Sequence, residues 1–138
     1  MASFMSRTYL KVLYYLKGNY MSNEVCYSCP FEVTIDLIGG KWKGIILWHL
    51  HENKVLRNGE MLRLIPRITQ KMLTQQLREM EEHGLIHRVI YEQVPPKVEY
   101  SLTSHGEALR PILDMMLLWG EKYAQDKNII IACSGSKK

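Results

Sequence analysis

Between Thr69 and Leu102 the hydrophobic repeat changes its period, and few folds accommodate that change. From Thr69 to His83 the residues Met72, Leu73, Leu77 and Met80 cluster on one face of a helical wheel. Lys71, Thr74, Gln75 and Arg78 fall on the opposite face. Thr69 is a good N-cap and Gly84 a natural stop, so the helix has both ends marked. Period two begins at once. Leu85, His87, Val89 and Tyr91 alternate with Ile86, Arg88, Ile90 and Glu92. After Val94-Pro95-Pro96, Val98, Tyr100 and Leu102 alternate with Lys97, Glu99 and Ser101. Two such runs about a Pro-Pro turn predict a β-hairpin.

The segments on either side read as helices. Pro30 suits a first helical position, where its missing N–H is not needed, and Gly39-Gly40 ends that helix. Lys41–His51 carries Trp42, Ile45, Ile46, Leu47, Trp48 and Leu50, apolar nearly all round, and predicts the buried centre of the domain. A short helix near Asn58–Leu64 ends at Pro66. A final helix opens at Thr103 or Ser104, where Ser104 and Glu107 have capping-box spacing, and Pro111 kinks it or delays its regular part. Its stripe Leu109, Ile112, Leu113, Met116, Gly120, Tyr123 suits a core. A second stripe of Met115, Leu118 and Trp119 suits the surface of a second subunit.

Two short helices joined by a tight turn, the second with a face rich in cations and amides, then a hairpin: this is the order of a winged helix-turn-helix. The fold expected is mainly α with a small β-hairpin wing (α+β), dimerising through terminal helices. Residues 1–28 read as an N-terminal extension, with Met21 an alternative start, 29–127 as the winged domain and 128–138 as a flexible tail. Leu10–Leu16 is interrupted by Lys11 and has no cleavage site after it, so no secretory signal is expected, and no run approaches the ~20 apolar residues of a membrane span. Three cysteines, an odd and sparse set, fit a reducing cytoplasm.

Arg or Lys donates to guanine O6 and N7, Gln pairs with adenine, and Thr offers a hydroxyl or a methyl, so Lys71, Thr74, Gln75 and Arg78 suit base edges. Arg63 and Arg67 suit phosphates, and the helix start at Thr69 and Gln70 offers N–H groups to another. Arg88 and Lys97 of the hairpin reach the flanking backbone or minor groove. The same polar face also reads as merely solvated. Charge placement favours DNA. The net charge is +4, from 18 Lys and Arg against 14 Asp and Glu, and Met61–Arg78 holds Arg63, Arg67, Lys71 and Arg78 with no acid. The remaining 14 basic residues cancel the 14 acidic ones. Glu79, Glu81 and Glu82 come only at the far end of the helix, outside a groove that takes its N-terminal half.

Cys29-Pro30-Phe31-Glu32 followed by Leu37-Ile38-Gly39-Gly40-Lys41-Trp42-Lys43 resembles the opening of the HxlR-type branch of MarR-like winged-helix transcriptional regulators. Ile68-Thr69-Gln70-Lys71-Met72-Leu73-Thr74-Gln75-Gln76-Leu77-Arg78-Glu79-Met80-Glu81, Gly84-Leu85-Ile86 and Tyr100-Ser101-Leu102-Thr103 resemble its later motifs, so the likeness runs from about Cys29 to Lys127. It implies a homodimeric transcription factor, a recognition helix at Thr69–His83, a wing at Leu85–Leu102 and a near-palindromic operator in double-stranded DNA. Ser104 departs from a frequent proline, and residues 1–20 have no family counterpart.

Cys26-Tyr27-Ser28-Cys29 stands ahead of a helix, where the dipole and free N–H groups favour a thiolate. The resemblance implies that Cys29 can sense oxidants or electrophiles, with Cys26 or a partner thiol resolving it; a small buried cysteine capping the helix is the plain alternative. Cys133 reads as inert. One C-x-x-C without a second pair does not make a zinc site, and His49 and His51 diverge on their helix, so no metal and no cofactor are expected. The effector expected is an oxidant or a small molecule, and no membrane partner is expected. A C-x-x-C redox enzyme lacks its βαβ setting here; a winged helix used only for protein contacts remains the other alternative.

Overall fold

Gly84 and Thr103 hold the two halves of the domain together. Gly84 turns the chain out of a helix with φ 69°, in the left-handed region that suits a residue without Cβ. Its carbonyl accepts from the Thr103 hydroxyl at 2.6 Å, and Thr103 Oγ1 in turn accepts from Gly106 N at 3.1 Å. Thr103, rather than Ser104, is therefore the N-cap of the next helix. Glu107 does not close a capping box with Ser104; its carboxylate lies 3.5 Å from His51 Nδ1.

The computed structural model describes residues 26–132. The Met21 start and Cys133 lie outside the described residues. The chain divides into two units at Gly39/Gly40. In the first, α1 (Pro30–Ile38) has Cys29 as N-cap and ends where Gly39 N donates to Ile35 O at 2.7 Å. In the second, the order is α2 (Lys43–Asn53), β1 (Val55–Leu56), α3 (Asn58–Leu64), α4 (Gln70–Glu82), β2 (Ile86–Tyr91), β3 (Lys97–Leu102), α5 (Ser104–Ala108) and α6 (Arg110–Asp126). The strands form an antiparallel sheet in the order β1-β3-β2, with Arg88 opposite Tyr100 and Tyr91 opposite Lys97. The two-residue β1, which pairs Leu56 with Tyr100, is too short to show a period in sequence.

Ile46, Leu47 and Leu50 of α2 are fully buried, with Met61 of α3 and Leu73, Leu77 and Met80 of α4. α2 packs on β3, α3, β1 and α6, while α4 packs on α3 and β2. In β2 only Ile86 is buried, so the rest of the hairpin stands out as a wing. The proline break falls as expected: helix is interrupted at Leu109, and α6 starts with Pro111 in its first turn. The expected core stripe of α6 does not hold, because Ile112, Met116 and Tyr123 are exposed and only Leu113 and Ala124 are buried. α6 meets α2 with Leu113 buried. Among the described residues, no helix is long and apolar enough to cross a membrane.

His51 is buried, and its Nε2 lies 3.0 Å from Gly106 O. A Cβ on Gly106 would stand 2.2 Å from Leu85 O and 3.0 Å from Leu102 Cδ2. Gly106→Ala is therefore expected to lower stability by about 1–3 kcal/mol. Gly59→Ala, with no atom near its Cβ, is expected to be neutral or slightly stabilising. Urea unfolding of both variants checks the contrast.

Candidate nucleic-acid interface

Burial of Leu73, Leu77 and Met80 sets the rotation of α4 and leaves Gln70, Lys71, Thr74, Gln75 and Arg78 exposed on its outer side. Thr69 caps the helix, its hydroxyl oxygen accepting from Met72 N at 3.1 Å. The first-turn N–H groups have no partner inside the helix, and they add a positive end to this face. The Thr74 hydroxyl donates to Gln70 O at 2.9 Å and accepts from Gln70 Nε2 at 3.0 Å. Its donor is thus spent within the helix, and its methyl is what remains for an apolar contact.

Gln75 Nε2 donates to Glu79 Oε1 at 3.2 Å, and Lys43 Nζ lies 2.8 Å from Glu79 Oε2. The Lys43 hydrogen bond, then that of Gln75, holds the Glu79 carboxyl below its usual range. Glu79 thus joins the interface through Gln75, where sequence position alone sets it among the acids outside. Its partner Lys43 lies on α2, and no local spacing announces a pair so far apart in the chain.

In the turn between α3 and α4, Arg67 adopts φ 76°, a left-handed conformation that costs a residue with Cβ about 1–2 kcal/mol. Arg63 closes α3, and both arginines are exposed. Among the described residues, Arg63, Arg67, Lys71, Arg78 and Arg88 make no ion pair. Lys97 differs. Its ammonium is 2.9 Å from Glu99 Oε1 and 4.9 Å from the Tyr91 ring centroid, so it is already engaged within the wing. The Lys97 hydrogen bond is the main reason the Glu99 carboxyl also sits below its usual range.

In the first unit Cys29 is exposed, as is Cys26, and neither is in a disulfide. The buried-cap reading of Cys29 does not hold. Just ahead of α1 the Glu32 carboxylate instead accepts from Ser28 N and Ser28 Oγ, each at 2.7 Å. In the second unit, α6 exposes Met115, Leu118 and Trp119, and Pro111, Ile112, Met115, Met116 and Trp119 line an open apolar groove. Among the described residues no three His, Cys, Asp or Glu side chains gather as metal ligands.

The family model described as HxlR-like helix-turn-helix matches residues 37–128, which take in α2 through α6. The chain belongs to this HxlR-like family. The HTH-type transcriptional regulator YdeP of Bacillus subtilis (strain 168) is 60% identical over 102 residues, covering 74% of this chain and 79% of YdeP. The solved structure of the redox regulator HypR in its oxidized form is 55% identical with a TM-score of 0.65, covering 68% of this chain and 96% of HypR. The reduced form of the transcriptional regulator YodB from B. subtilis is 33% identical with a TM-score of 0.61, covering 71% of this chain and 96% of YodB. The HxlR-like chain is therefore a helix-turn-helix transcriptional regulator of the MarR-like winged class, not an enzyme, and its partner is double-stranded DNA.

The interface generates two stability expectations. Arg67→Gly relieves the left-handed turn and is expected to stabilise the fold by about 1 kcal/mol, read from its thermal midpoint. Glu79 has a folded pKa below its ordinary 4.5, so its contribution is present above that value and is lost as pH falls through the folded one. The stability gap between wild type and Glu79→Gln is expected to be widest near neutrality and to close in acid, as parallel unfolding curves across pH would report.

Proposed function

We propose that the protein is a homodimeric repressor that reads a near-palindromic operator with α4 and lets go of it when Cys29 is oxidised. The observation that carries the reading is the outer face of α4. Its cations Lys71 and Arg78, with Arg63 and Arg67 before them, are exposed and uncommitted to acids among the described residues. Lys71 and Arg78 suit guanine, Gln75 suits adenine and the Thr74 methyl suits thymine. Arg63, Arg67 and the α4 start at Thr69 and Gln70 take phosphates, and Arg88 takes the backbone beside the wing. Lys97 is a weaker contact, since it must leave Glu99 to make one.

The apolar surface of α6 supports the dimer. Met115, Leu118 and Trp119 are 65%, 56% and 68% exposed, a patch of the kind that a soluble chain covers with a second copy. A dimer then sets two α4 helices about 34–36 Å apart, one turn of DNA. The name of HypR as a redox regulator and the exposure of Cys29 support the switch. In the proposed step two thiols, Cys29 and either Cys26 or a thiol of the partner subunit, form one disulfide. Their two protons and two electrons pass to the oxidant. A small molecule in the dimer cleft is a second effector class for the same device.

Binding to duplexes selected from a genomic pool tests the reading, under reducing and oxidising conditions. Arg78→Ala is expected to relax base preference, a loss of about 1–3 kcal/mol of discrimination. Arg67→Gly is expected to weaken all sequences alike and to lower the salt slope by about one. Diamide is expected to release the wild type but not Cys29→Ser. Salt-independent binding, or none by the folded reduced protein, overturns the regulator mechanism, and an undiminished diamide response in Cys29→Ser dismisses Cys29.

A further inference from the structure

An ionised carboxylate has acceptors only, so the end of the Gln75 amide that faces Glu79 must be its NH2. Nε2 approaches Glu79 Oε1 at 3.2 Å, one helical turn along α4. The other carboxylate oxygen, Oε2, is held at 2.8 Å by Lys43 Nζ. Lys43 is 8% exposed and stands in the first turn of α2, where a cation meets the positive end of the helix dipole. Its charge needs an anion, and the one it has is Glu79. Glu79 is thus pinned from the core side while it grips an exposed side chain on the outer face.

We propose that Glu79 is a positioning residue for base recognition: by binding the Gln75 NH2 it turns the Gln75 carbonyl outward. This rests on α4 being the recognition helix. A carbonyl aimed at the groove accepts a hydrogen bond, so the base read by Gln75 must offer a donor there. Adenine N6 and cytosine N4 do so; guanine and thymine show acceptors at the corresponding edge. One N–H of Gln75 stays free beside the carbonyl, which completes the bidentate pairing with adenine N6 and N7. Without the Glu79 carboxylate the amide can turn over and present its NH2 to guanine O6 and N7 instead. Glu79 touches no base in this scheme. It sets which end of Gln75 does, and Lys43 acts only by holding Glu79.

The test selects bound duplexes from a randomised pool with the full-length reduced protein. It compares wild type, Glu79→Gln, Gln75→Ala and the Gln75→Ala/Glu79→Gln pair, with thermal unfolding of each. Wild type is expected to favour adenine or cytosine over guanine and thymine about tenfold at one position per half-site. Glu79→Gln, whose amide can donate as well as accept, is expected to shrink that preference to about threefold or less at this position alone. Preferences elsewhere and the salt slope are expected to stay, and Glu79→Gln should add nothing once Gln75 is alanine. An unchanged preference in Glu79→Gln overturns the proposal. So does a loss spread evenly over all positions, or an effect that survives Gln75→Ala. Should Glu79→Gln unfold because Lys43 is left unpaired, Lys43→Met/Glu79→Gln removes both charges and carries the same comparison. If wild type itself selects no sequence, the reading of α4 as recognition helix falls first, and the proposal with it.

Discussion

The rotation of α4 about its own axis is the constraint on which the interface depends. Leu73, Leu77 and Met80 are almost wholly out of water, and burying each contributes about 1.5–3 kcal/mol. Turning the helix by one residue would expose part of that stripe and bury Lys71 or Arg78, at a cost far beyond any single surface contact. The polar face is therefore not a surface that happens to be exposed. It is held outward by the core beneath it, formed with Ile46, Leu47 and Leu50 of α2 and Met61 of α3.

A second set of contacts fixes the path of the chain beyond α4. Gly84 turns the chain, Thr103 ties that turn to the start of α5, and Leu85 O meets Gly106 so closely that only glycine fits. His51 closes the cluster from α2 by reaching Gly106 O. The wing and α6 thus leave from one joint at the foot of α4. α6 itself is lightly held: Leu113 and Ala124 are its buried residues, and Arg110 bridges to Glu52 at 2.7 Å and to Asp114 at 2.9 Å. Much of its apolar surface stays uncovered within one chain, and this is the surface that the proposed second copy would cover.

Local features are legible in the sequence. The Thr69 cap, the Gly84 stop, the period change at Leu85 and the Pro111 break each involve residues within a turn or two, and each appears where the residue pattern puts it. The features that escape it involve partners far apart in the chain or backbone angles that side chains do not announce. β1 exists only because Val55 and Leu56 meet Ser101 and Tyr100. The choice of Thr103 over Ser104 as cap is made by the Gly84 carbonyl, which lies nearest Thr103. Arginine at φ 76° has no signature, since residue type argues against that angle. The apolar stripe of α6 is visible, but its partner is not, because helical periodicity reports which residues share a face and not what covers them.

The same distinction sharpens the electrostatics. Counting charges along Met61–Arg78 isolates four cations, and Glu79 then ends the positive face abruptly. In the fold, Glu79 is matched by Lys43 and Glu99 by Lys97, each pair within hydrogen-bonding distance. Close opposite charges cancel beyond a few ångströms, more so in salt, where exposed charges are screened beyond about 8–10 Å. An approaching polyanion therefore feels Arg63, Arg67, Lys71 and Arg78 nearly undiminished, with the positive end of α4 among them. Glu79 costs the face little attraction, and its carboxylate is left able to orient Gln75, a task that no cation at that position could perform.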